Sequence, residues 1–485
     1  MFILPNQLHF EFGPWGIRGL HVPFQDDLTV CLRDFEILDL QPAETRSLST
    51  FSRETMGDNN HVAKRLKLCG KPNPTSFITW NVNGFTSRCT KDCQELKHLM
   101  ETTGYPDVVC LQEVRLKASR NRGVPLESEL EGGVQNMLRT VFQEYATVYW
   151  SLADSRYSGT LTLLHNRVDF RNGTAAFTPD TAITALAKQL GVSRENAGLP
   201  PEAKEDPNVD KSTSGTSKAK QTSLTSFFKP AAPKKDSPSS KPPRHHKEGR
   251  FQCLLFPDFD LIQTYVLNNG LKHESIQRRR DWDETMLQFF QWRQKLLKHV
   301  GKDNDRPILW CGDLNCALTY RDGTHWTRSS ESNEVIEYWT DESKSLTSSS
   351  KRDEGRHQDD MGIPSFTKNE RRRLSQIMGQ ADLVDVWRDR FPDGDRRKEF
   401  ADPWEAPNYT WRGHMGKTGN FLSKYEGKGQ RLDYFLVSAG LKCKIQECEI
   451  LGFGSERHGF CGSDHCPLLL RLKDDVAMKT EQLAS

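Results

Sequence analysis

The sequence predicts an α/β sandwich. Two short β-rich segments, SFITWNVNGF at residues 76–85 and PDVVCLQEVRL at residues 106–116, each run into a polar cluster. The segment between them, CTKDCQELKHLMETTG, has helical spacing of apolar residues and ends in a glycine suited to a helix C-terminus. Strands alternating with helices, with polar residues at the strand ends, are typical of layered α/β architecture.

Further β-rich segments begin or end in Asn, Asp or His. They are ATVYWSLADSRYSGTLTLLH (146–165), which is typical of a hairpin, LIQTYVLNNG (261–270), PILWCGDLNCAL (307–318), RLDYFLVS (431–438) and CPLLLRL (466–472). Residues 282–301 and 367–391 have helical spacing of apolar residues with charged residues on the opposite face. We expect those charged residues to lie on the solvated surface.

Composition limits how much of the chain can form a hydrophobic core. Only 35% of the 485 residues are hydrophobic and the mean hydropathy is −0.69, so we expect substantial tails or insertions. The formal net charge of +2 excludes neither nucleic acid nor small anions, because opposite charges can be segregated on a folded surface. No apolar run approaches about 18 residues, and the N-terminus lacks the pattern of a signal peptide. We therefore predict a soluble protein that is not secreted.

The twelve cysteines have no zinc-type spacing. A chain of this length does not need disulfides for stability, so we predict free thiols in a reducing compartment. The closer pairs Cys89/Cys93 and Cys461/Cys466 leave a redox or metal site as the alternative.

The predicted domain is interrupted twice. Residues 1–75 form an N-terminal extension of low order, residues 76–474 the α/β domain, and residues 475–485 a C-terminal tail. Residues 175–250 begin with a helix-like segment, but their Lys, Pro, Ser and Gly content predicts a disordered insertion. Residues 321–364 are predicted to form a second long, mobile loop.

Polar residues at five predicted strand ends are candidates for a joint site. They are Asn81, Asn83, Glu113, Asp313, Asn315, Asp433, Asp464 and His465. Any one of them alone is more simply a turn or capping residue, but turn chemistry does not account for all of them together. Carboxylates and amides without clustered thiolates suit a hard cation such as Mg²⁺. Gly462 permits a sharp turn, which places Asp464 and His465 on the loop before the last strand.

Six blocks of the sequence resemble one family. WNVNGF, LQEVR, YVLNNG, GDLNCAL, RLDYFLVS and GSDHCPLLL are similar, in this order, to the signature blocks of the exonuclease III-like apurinic/apyrimidinic endonucleases, within the endonuclease/exonuclease/phosphatase superfamily. The resemblance covers residues 76–172, 251–320 and 365–473. It implies a four-layer sandwich, in which two mixed β-sheets pack face to face between flanking helices, and a metal-dependent phosphodiesterase site.

The resemblance also implies roles for the metal. Glu113 matches the principal Mg²⁺ ligand, for which Mn²⁺ is the expected substitute, and Asn81 and Asn83 assist it. Asp464 either binds metal or holds its neighbour in place. The full candidate metal set is Asn81, Asn83, Glu113, Asp313, Asn315, Asp464 and His465.

For the reaction itself, Asp313 matches the residue that activates water or protonates the leaving oxygen, and Asn315 donates a hydrogen bond to it or to the transition state. His465 is expected to contact the scissile phosphate, with Asp433 fixing the orientation of the imidazole. Tyr265 is expected to reach the phosphate through its phenol.

Substrate contacts are assigned by the same resemblance. Asn268 shapes the loop after Tyr265, Trp411 lies on the pocket wall, and Arg115 stands where the family often has a lysine. Gln430 occupies a position where the family often has an aromatic residue that grips the abasic site. Phosphodiester cleavage is therefore predicted more firmly than efficiency at abasic sites.

Within the insertion, QTSLTSFF at residues 221–228 resembles the sliding-clamp interaction box of replication and repair proteins. Gln221 begins the pattern, and Leu224, Phe227 and Phe228 would lie on one face of a helical turn that fits an apolar groove. Two phenylalanines in an otherwise polar segment gain nothing unless a partner covers them.

These features predict a Mg²⁺-dependent DNA-repair nuclease that cleaves 5′ to abasic sites and acts as a 3′–5′ exonuclease and 3′-phosphodiesterase in base excision repair. Its partners would be double-stranded DNA with abasic sites or 3′ ends and the sliding clamp; we expect a nuclear monomer, with a mitochondrial pool as an alternative. The other hypotheses are another superfamily phosphodiesterase, such as an RNA deadenylase or an inositol-phosphate phosphatase, and a clamp-bound scaffold with weak nuclease activity.

Overall fold

The structure is a computed structural model. It describes residues 71–119, 123–202, 246–270, 272–301, 306–323, 357–360, 364–392, 405–413 and 429–473, with a few short strand segments elsewhere. The chain divides into two units, Met1–Arg65 and Leu66–Ser485. In the first unit, Phe12–Gly13 pairs antiparallel with Gly16–Ile17. Most of the predicted N-terminal extension, the predicted loop at 321–364 and the C-terminal tail lie outside the described residues.

Twelve strands form the framework of the second unit. They are β1 (Ser76–Asn81), β2 (Val108–Gln112), β3 (Thr147–Ser151), β4 (Thr160–Leu164), β5 (Thr174–Ala176), β6 (Phe251–Leu255), β7 (Asp260–Tyr265), β8 (Ile308–Asp313), β9 (Leu383–Asp385), β10 (Asp433–Ser438), β11 (Ile445–Ile450) and β12 (Leu468–Leu472). Trp411–Arg412 also pairs with Gly429–Gln430, and Trp326–Arg328 with Val335–Glu337.

These strands form two mixed sheets. The first has the order β11, β12, β1, β2, β4, β3, with Thr222–Ser223 paired to the outer edge of β3. Its strands β1 and β2 are parallel and its other pairs are antiparallel. The second has the order β9, β10, β8, β7, β6, β5, in which β7 and β8 are the parallel pair. Each sheet thus has one pair of adjacent strands whose carboxyl ends lie side by side.

Helices flank both sheets. They are α1 (Phe85–Thr90), α2 (Cys93–Thr102), α3 (Glu127–Leu130), α4 (Gly133–Thr140), α5 (Pro179–Gln189), α6 (His273–His299), α7 (Lys368–Gln380), α8 (Val386–Arg390) and α9 (Ala439–Lys442), with 3₁₀ turns at Tyr320–Asp322 and Gln358–Asp360. None of the described helices is long and apolar enough to cross a membrane.

Apolar side chains pack in three large clusters, one between each pair of layers. Phe77, Leu261 and Leu309 meet between the two sheets. Their strand neighbours point the opposite way, because successive side chains alternate along a strand. Ile78 packs against the helices on the outer face of the first sheet, and Ile262 against those on the second. The predicted four-layer α/β sandwich is confirmed.

The prediction that the charged residues of residues 282–301 are solvated is wrong for Asp283 and Arg293. Both are buried, as is Arg279 one turn earlier in α6. Asp283 accepts hydrogen bonds from Arg279 at 2.9 Å and from Arg373 of α7 at 2.7 Å. Arg293 donates to Asp260 at 2.7 Å. Because α6 packs against α5 and α7 as well as the sheet, part of its polar face is covered.

The first part of the predicted disordered insertion is folded. Residues 174–176 form β5, and α5 begins at Pro179 behind Thr178, whose hydroxyl accepts a hydrogen bond from the Thr181 amide at 3.1 Å. This arrangement is a capping box, and Ile183 on the inner face of α5 is fully buried. The Lys- and Pro-rich composition that predicts disorder lies mainly beyond residue 202. Apart from Thr222–Ser223, residues 203–245 lie outside the described residues.

The ten cysteines of the described ranges are free, and eight of them are buried. This agrees with the prediction of free thiols.

Candidate active site

Three of the predicted residues form one row across the second sheet. In the parallel pair, Tyr265 at the end of β7 lies opposite Asp313 at the end of β8. In the next pair, Asp313 lies opposite Asp433 at the start of β10. Residues directly opposite each other in neighbouring strands project from the same face of the sheet. Strand register therefore brings together three residues that are far apart in the sequence.

The first sheet supplies Asn81, Asn83 and Glu113 from its own parallel pair. Asn81 ends β1, and Glu113 follows Gln112 at the end of β2. The loops after these strands stay paired, since the Gly84 amide donates to the Glu113 carbonyl at 2.9 Å. Asn83 and Glu113 have φ of 46° and 54°, in the left-handed region that non-glycine residues rarely adopt. Such strained backbone is concentrated at functional sites.

His465 reaches the same edge from the loop before β12. Gly462 has φ of 75°, which confirms the sharp turn predicted there. The Ser463 hydroxyl donates to the Asn81 carbonyl at 2.8 Å and accepts from the His465 amide at 3.2 Å. The Trp80 indole donates to the His465 carbonyl at 2.9 Å. The loop is thus tied to β1, and His465 lies where the two sheets meet.

The centre of the site is a buried network of Asn81, Asp313, Asp433 and His465. His465 Nδ1 lies 2.8 Å from Asp433 Oδ2, and Nε2 lies 3.9 Å from Asp313 Oδ2. The Asn81 amide donates to Asp313 Oδ2 at 2.9 Å and its nitrogen lies 3.5 Å from His465 Nε2. The predicted pairing of Asp433 with the imidazole is present.

The electrostatics of this network set its protonation states. Burial raises the pKa of Asp313 to about 7; the charge of His465 opposes that rise and the charge of Asp433 adds to it. Burial alone would lower the pKa of His465, but the carboxylates of Asp433 and Asp313 outweigh it and raise that pKa to about 10. The imidazole is therefore favoured as a cation, and Asp313 holds its proton more readily than an ordinary aspartate, as suits a group that transfers protons.

Asn315 orients Asp313 and is held in turn by Asn268. Its side-chain amide donates to Asp313 Oδ2 at 3.2 Å and to the Val266 carbonyl at 3.0 Å, which uses both of its hydrogens. Its oxygen accepts from Asn268 at 3.1 Å. Ser365 also approaches that oxygen, at 3.5 Å. The geometry therefore favours the predicted contact with Asp313 over a contact with the transition state, and does not fit Asn315 as a metal ligand.

Arg115 is engaged by the predicted metal ligand. Its guanidinium forms a salt bridge with Oε1 of Glu113, with Nε at 3.1 Å, so it is not a free phosphate-binding cation. Both residues interact with Tyr265, whose pKa is raised well above its usual value by burial and by the charges of Glu113 and Asp313. The phenol of Tyr265 stays neutral and is a hydrogen-bond donor.

Asp464 and Trp411 lie beside the network, where Trp411 forms an isolated β-bridge with His465. Asp464 accepts from Asn83 at 2.7 Å and from the Trp411 indole at 3.2 Å. Burial would raise the pKa of Asp464, but the charge of His465 and these hydrogen bonds hold it below its usual value. Gln430 pairs with Trp411 across the short antiparallel ladder and is buried. A side chain at position 430 is thus not exposed to grip a substrate.

Sequence reasoning missed Arg250. Its guanidinium lies 4.6 Å from the ring centroid of Tyr265 and 5.3 Å from that of Tyr157, so it is held between two aromatic rings. It also pairs with Glu248 at 2.5 Å. Arg250 is the last residue of the Lys-, Pro- and Ser-rich segment, and the composition of that segment predicted disorder at this position. Its position immediately before the strand FQCLL could have indicated that Arg250 is part of the folded domain.

The donor atoms fit a divalent cation. Glu113 Oε1 takes the hydrogen bonds from Arg115, and no residue in the described part of the chain hydrogen-bonds to Oε2. The amide nitrogens of Asn81 and Asn83 are engaged by Asp313 and Asp464, so their oxygens face the site as acceptors. Asn81 Oδ1 accepts from the Asn83 backbone amide at 3.0 Å and keeps its second lone pair. Carboxylate and amide oxygens are hard ligands of the kind that Mg²⁺ and Mn²⁺ take.

A second cluster of donor atoms is present within the network. One ligand atom each of Asp313, Asp433 and His465 lies within 4.8 Å of the others. Asp433 Oδ1 is buried without a hydrogen-bond partner among the described residues. A metal ion there would compete with the proton on His465, so Glu113 and the two asparagines are the better match.

The match to known proteins agrees with this geometry. Residues 78–465 match the model of the Endonuclease/Exonuclease/phosphatase family. The chain belongs to this family. The matched span contains all the predicted catalytic and metal residues. The side chains of the clamp-box residues Gln221, Leu224, Phe227 and Phe228 lie outside the described part of the structure.

Two relatives align with most of this chain. An Arabidopsis thaliana protein named DNA-(apurinic or apyrimidinic site) endonuclease is 28% identical over 460 residues, 91% of this chain and 96% of that protein. A Plasmodium falciparum protein of the same name is 25% identical over 82% of this chain and 55% of its own length. The crystal structure of an AP endonuclease from Leishmania major matches with a TM-score of 0.48 and 18% identity, over 87% of this chain and 93% of that one.

Proposed function

We propose that this protein is a divalent-metal-dependent DNA-repair nuclease that cleaves the phosphodiester 5′ to abasic sites. We further propose that it removes nucleotides or blocking groups from 3′ ends and uses Mg²⁺ or Mn²⁺. The names of its relatives support the first activity. The observation that carries the proposal is the buried network in which the His465 cation lies between Asp433, at 2.8 Å, and Asp313, at 3.9 Å.

This network is suited to in-line attack of water on a phosphodiester. Asp313 in its ionised form takes a proton from the attacking water, whose oxygen bonds to phosphorus as the bond to the 3′-oxygen breaks. His465 donates a hydrogen bond from Nε2 to a non-bridging phosphate oxygen, and Asp433 keeps the imidazole charged and oriented. Tyr265 donates a second hydrogen bond to the phosphate. The 3′-oxygen takes a proton from solvent, which leaves a 3′-hydroxyl and a 5′-phosphate.

The metal would be held by Glu113 with Asn81 and Asn83. When bound, it would neutralise phosphate oxygens and stabilise the charge that develops on the leaving oxygen.

The test compares four substrates with Mg²⁺ and with chelator: an abasic-site duplex, a recessed 3′ end, poly(A) and a phosphoinositide. We expect metal-dependent cleavage of the first two and little turnover of the others. Preferred cleavage of poly(A) or the phosphoinositide would replace the proposed function with that of a deadenylase or a phosphatase. No turnover of any substrate, with clamp binding intact, would favour the scaffold hypothesis.

We also propose that residues 221–228 tether the enzyme to the sliding clamp in the nucleus, which requires Thr222–Ser223 to leave the edge of β3, where they are paired. The segment from Lys229 to His245, ahead of the folded residues 246–250, would span on the order of 20–25 Å as a flexible chain, which permits clamp and DNA to be bound at once. Such a tether raises the local enzyme concentration without new contacts.

A further inference from the structure

One buried arginine of α6 contacts both loops that hold the catalytic side chains. Arg279 is 1% exposed. Its NH1 donates to the Leu267 carbonyl at 2.7 Å and to the Asn315 carbonyl at 3.0 Å, and its NH2 donates to the Leu314 carbonyl at 3.1 Å. The loop after β7 and the loop after β8 are thus joined through one guanidinium.

The guanidinium is itself fixed in orientation. Its Nε donates to both oxygens of Asp283, at 2.9 and 3.1 Å, and Glu370 of α7 lies 3.8 Å from NH1. Asp283 is held from the other side by Arg373 at 2.7 Å. A network of helix residues on α6 and α7 therefore sets the position of three backbone carbonyls at the catalytic edge.

The backbone that Arg279 holds is strained at Asn315, next to the catalytic Asp313. Asn315 has φ of 45°, in the left-handed region, and in this conformation its amide and its side chain both reach Asp313, at 2.8 and 3.2 Å. Relaxation of Asn315 toward a common backbone conformation would withdraw both hydrogen bonds. Val266, whose carbonyl accepts from Asn315 at 3.0 Å, directly precedes Leu267.

We propose that Arg279 is a positioning residue. It holds the loop after β7, which contains Leu267, and the loop after β8, which contains Asn315, so that Asp313 is aligned for catalysis. The substrate in this inference rests on the proposed function, but the positioning does not. The planar fork of an arginine satisfies three carbonyls and a carboxylate together, whereas a lysine concentrates its donors on one nitrogen and cannot span them. Arg279→Lys keeps the positive charge but cannot donate to all three carbonyls and the carboxylate at once.

The same helix provides a matched control. Arg293 lies fourteen residues later, about 21 Å along α6. It is likewise buried, and donates to a carboxylate and a carbonyl, Asp260 at 2.7 Å and Arg306 at 2.7 Å. Asp260 begins β7, so Arg293 stabilises the opposite end of the same strand from the catalytic edge.

The experiment compares R279K and R293K for kcat, KM and thermal unfolding. Both variants should lower Tm, because each weakens a buried ion pair. We expect R279K to lower kcat by about 10- to 100-fold with KM within about twofold, since misplacement of a catalytic group by about 1 Å can cost that much. R293K should keep kcat within about twofold of wild type. Equal losses of kcat in the two variants, or a raised KM with unchanged kcat in R279K, would overturn the proposal.

Hydrogen exchange provides a measurement that does not depend on turnover. We expect faster amide exchange in segments 266–268 and 314–317 of R279K than in wild type, and no such change in R293K. Unchanged exchange in R279K would refute the positioning even if the enzyme were inactive on DNA, and faster exchange would support it even if the substrate were another phosphodiester. Should R279K not fold, Asp283→Asn replaces it, because that change keeps the guanidinium and loosens its orientation.

Discussion

The imidazole of His465 and the carboxylate of Asp433 are paired at 2.8 Å across the seam between the two sheets. His465 lies on the loop before β12 of the first sheet, and Asp433 begins β10 of the second. The charge state of the site therefore depends on how the two sheets are packed together. Because both residues are buried, the pair is not screened by solvent as a surface ion pair would be.

Asp433→Asn should change both the rate and its pH dependence. The charge of Asp433 is the main cause that raises the pKa of His465 to about 10, so the variant imidazole should lose its proton at lower pH. The protonated form binds the phosphate, so kcat should fall on the alkaline side at a lower pH than in wild type. At neutral pH we expect a loss of about 10²- to 10⁴-fold in kcat. A pH profile of kcat measures both effects, and an alkaline limb that stays in place would contradict the role of Asp433.

Asp313→Asn should abolish most activity and change how the stability of the protein depends on pH. Burial raises the pKa of Asp313 from 3.8 to about 7, so between these values the folded state binds more protons than the unfolded state. Stability therefore falls as pH rises through that window and stays lower above it. The asparagine does not titrate and does not undergo this loss. The difference in Tm, variant minus wild type, should therefore increase from acidic to neutral pH.

Thermal unfolding in the presence of chelator, at several pH values, measures that difference. In separate assays with Mg²⁺ and no chelator, kcat should fall by about 10²- to 10⁴-fold. A variant that is less stable than wild type by a margin independent of pH would show that Asp313 serves packing and does not carry an unfavourable buried charge.

Features of the site that depend on local pattern could be predicted from the sequence. Asp313 and Tyr265 end apolar segments, and adjacent parallel strands bring such ends together at one edge. Gly462 marks the turn before His465, and its positive φ is the conformation that glycine adopts most readily. The pairing of Asp433 with His465 follows from the family blocks, and the structure contains it.

Features that depend on tertiary contact could not be predicted. Arg279 lies in the run QRRRD, which is indistinguishable from a solvated helix face until α7 and the loops after β7 and β8 cover it. Arg115 follows Glu113 by two residues, and both lie in irregular backbone with positive φ, so the strand pattern before them does not predict their salt bridge. The folding of residues 174–202 depends on the packing of the apolar face of α5 against the second sheet.

Phe227→Ala combined with Phe228→Ala should abolish clamp binding and leave catalysis intact. The two rings are the apolar anchors of the predicted box, and a few such anchors dominate the affinity of a groove for a helical turn. Titration calorimetry of the full chain with the clamp measures binding, and cleavage of an abasic duplex without clamp measures catalysis. Thr225→Ala, inside the box but outside its pattern, is the control. Undiminished clamp affinity in the double variant would remove the tether from the proposal.

Glu113→Gln should weaken metal binding by at least about tenfold, because it removes the charged oxygen donor while keeping the side-chain shape. Activity should then require more Mg²⁺ or Mn²⁺ and recover in part when the metal concentration is raised. The variant also removes the partner of Arg115, so a loss of salt-bridge energy has to be separated from a loss of metal affinity.

Glu447→Gln separates the two effects. Glu447 pairs with Arg471 at 2.9 Å between β11 and β12, so this variant also breaks a partly exposed Glu–Arg pair but removes no predicted metal ligand. Calorimetric titration of Mn²⁺ should then show weaker binding in Glu113→Gln alone, while Tm measured with chelator changes little in either variant, because partly exposed pairs contribute only about 0–1 kcal/mol. Equal Mn²⁺ affinity in Glu113→Gln and Glu447→Gln would mean that Glu113 serves to hold Arg115 and that the metal lies elsewhere, with the Asp313, Asp433 and His465 cluster as the next candidate.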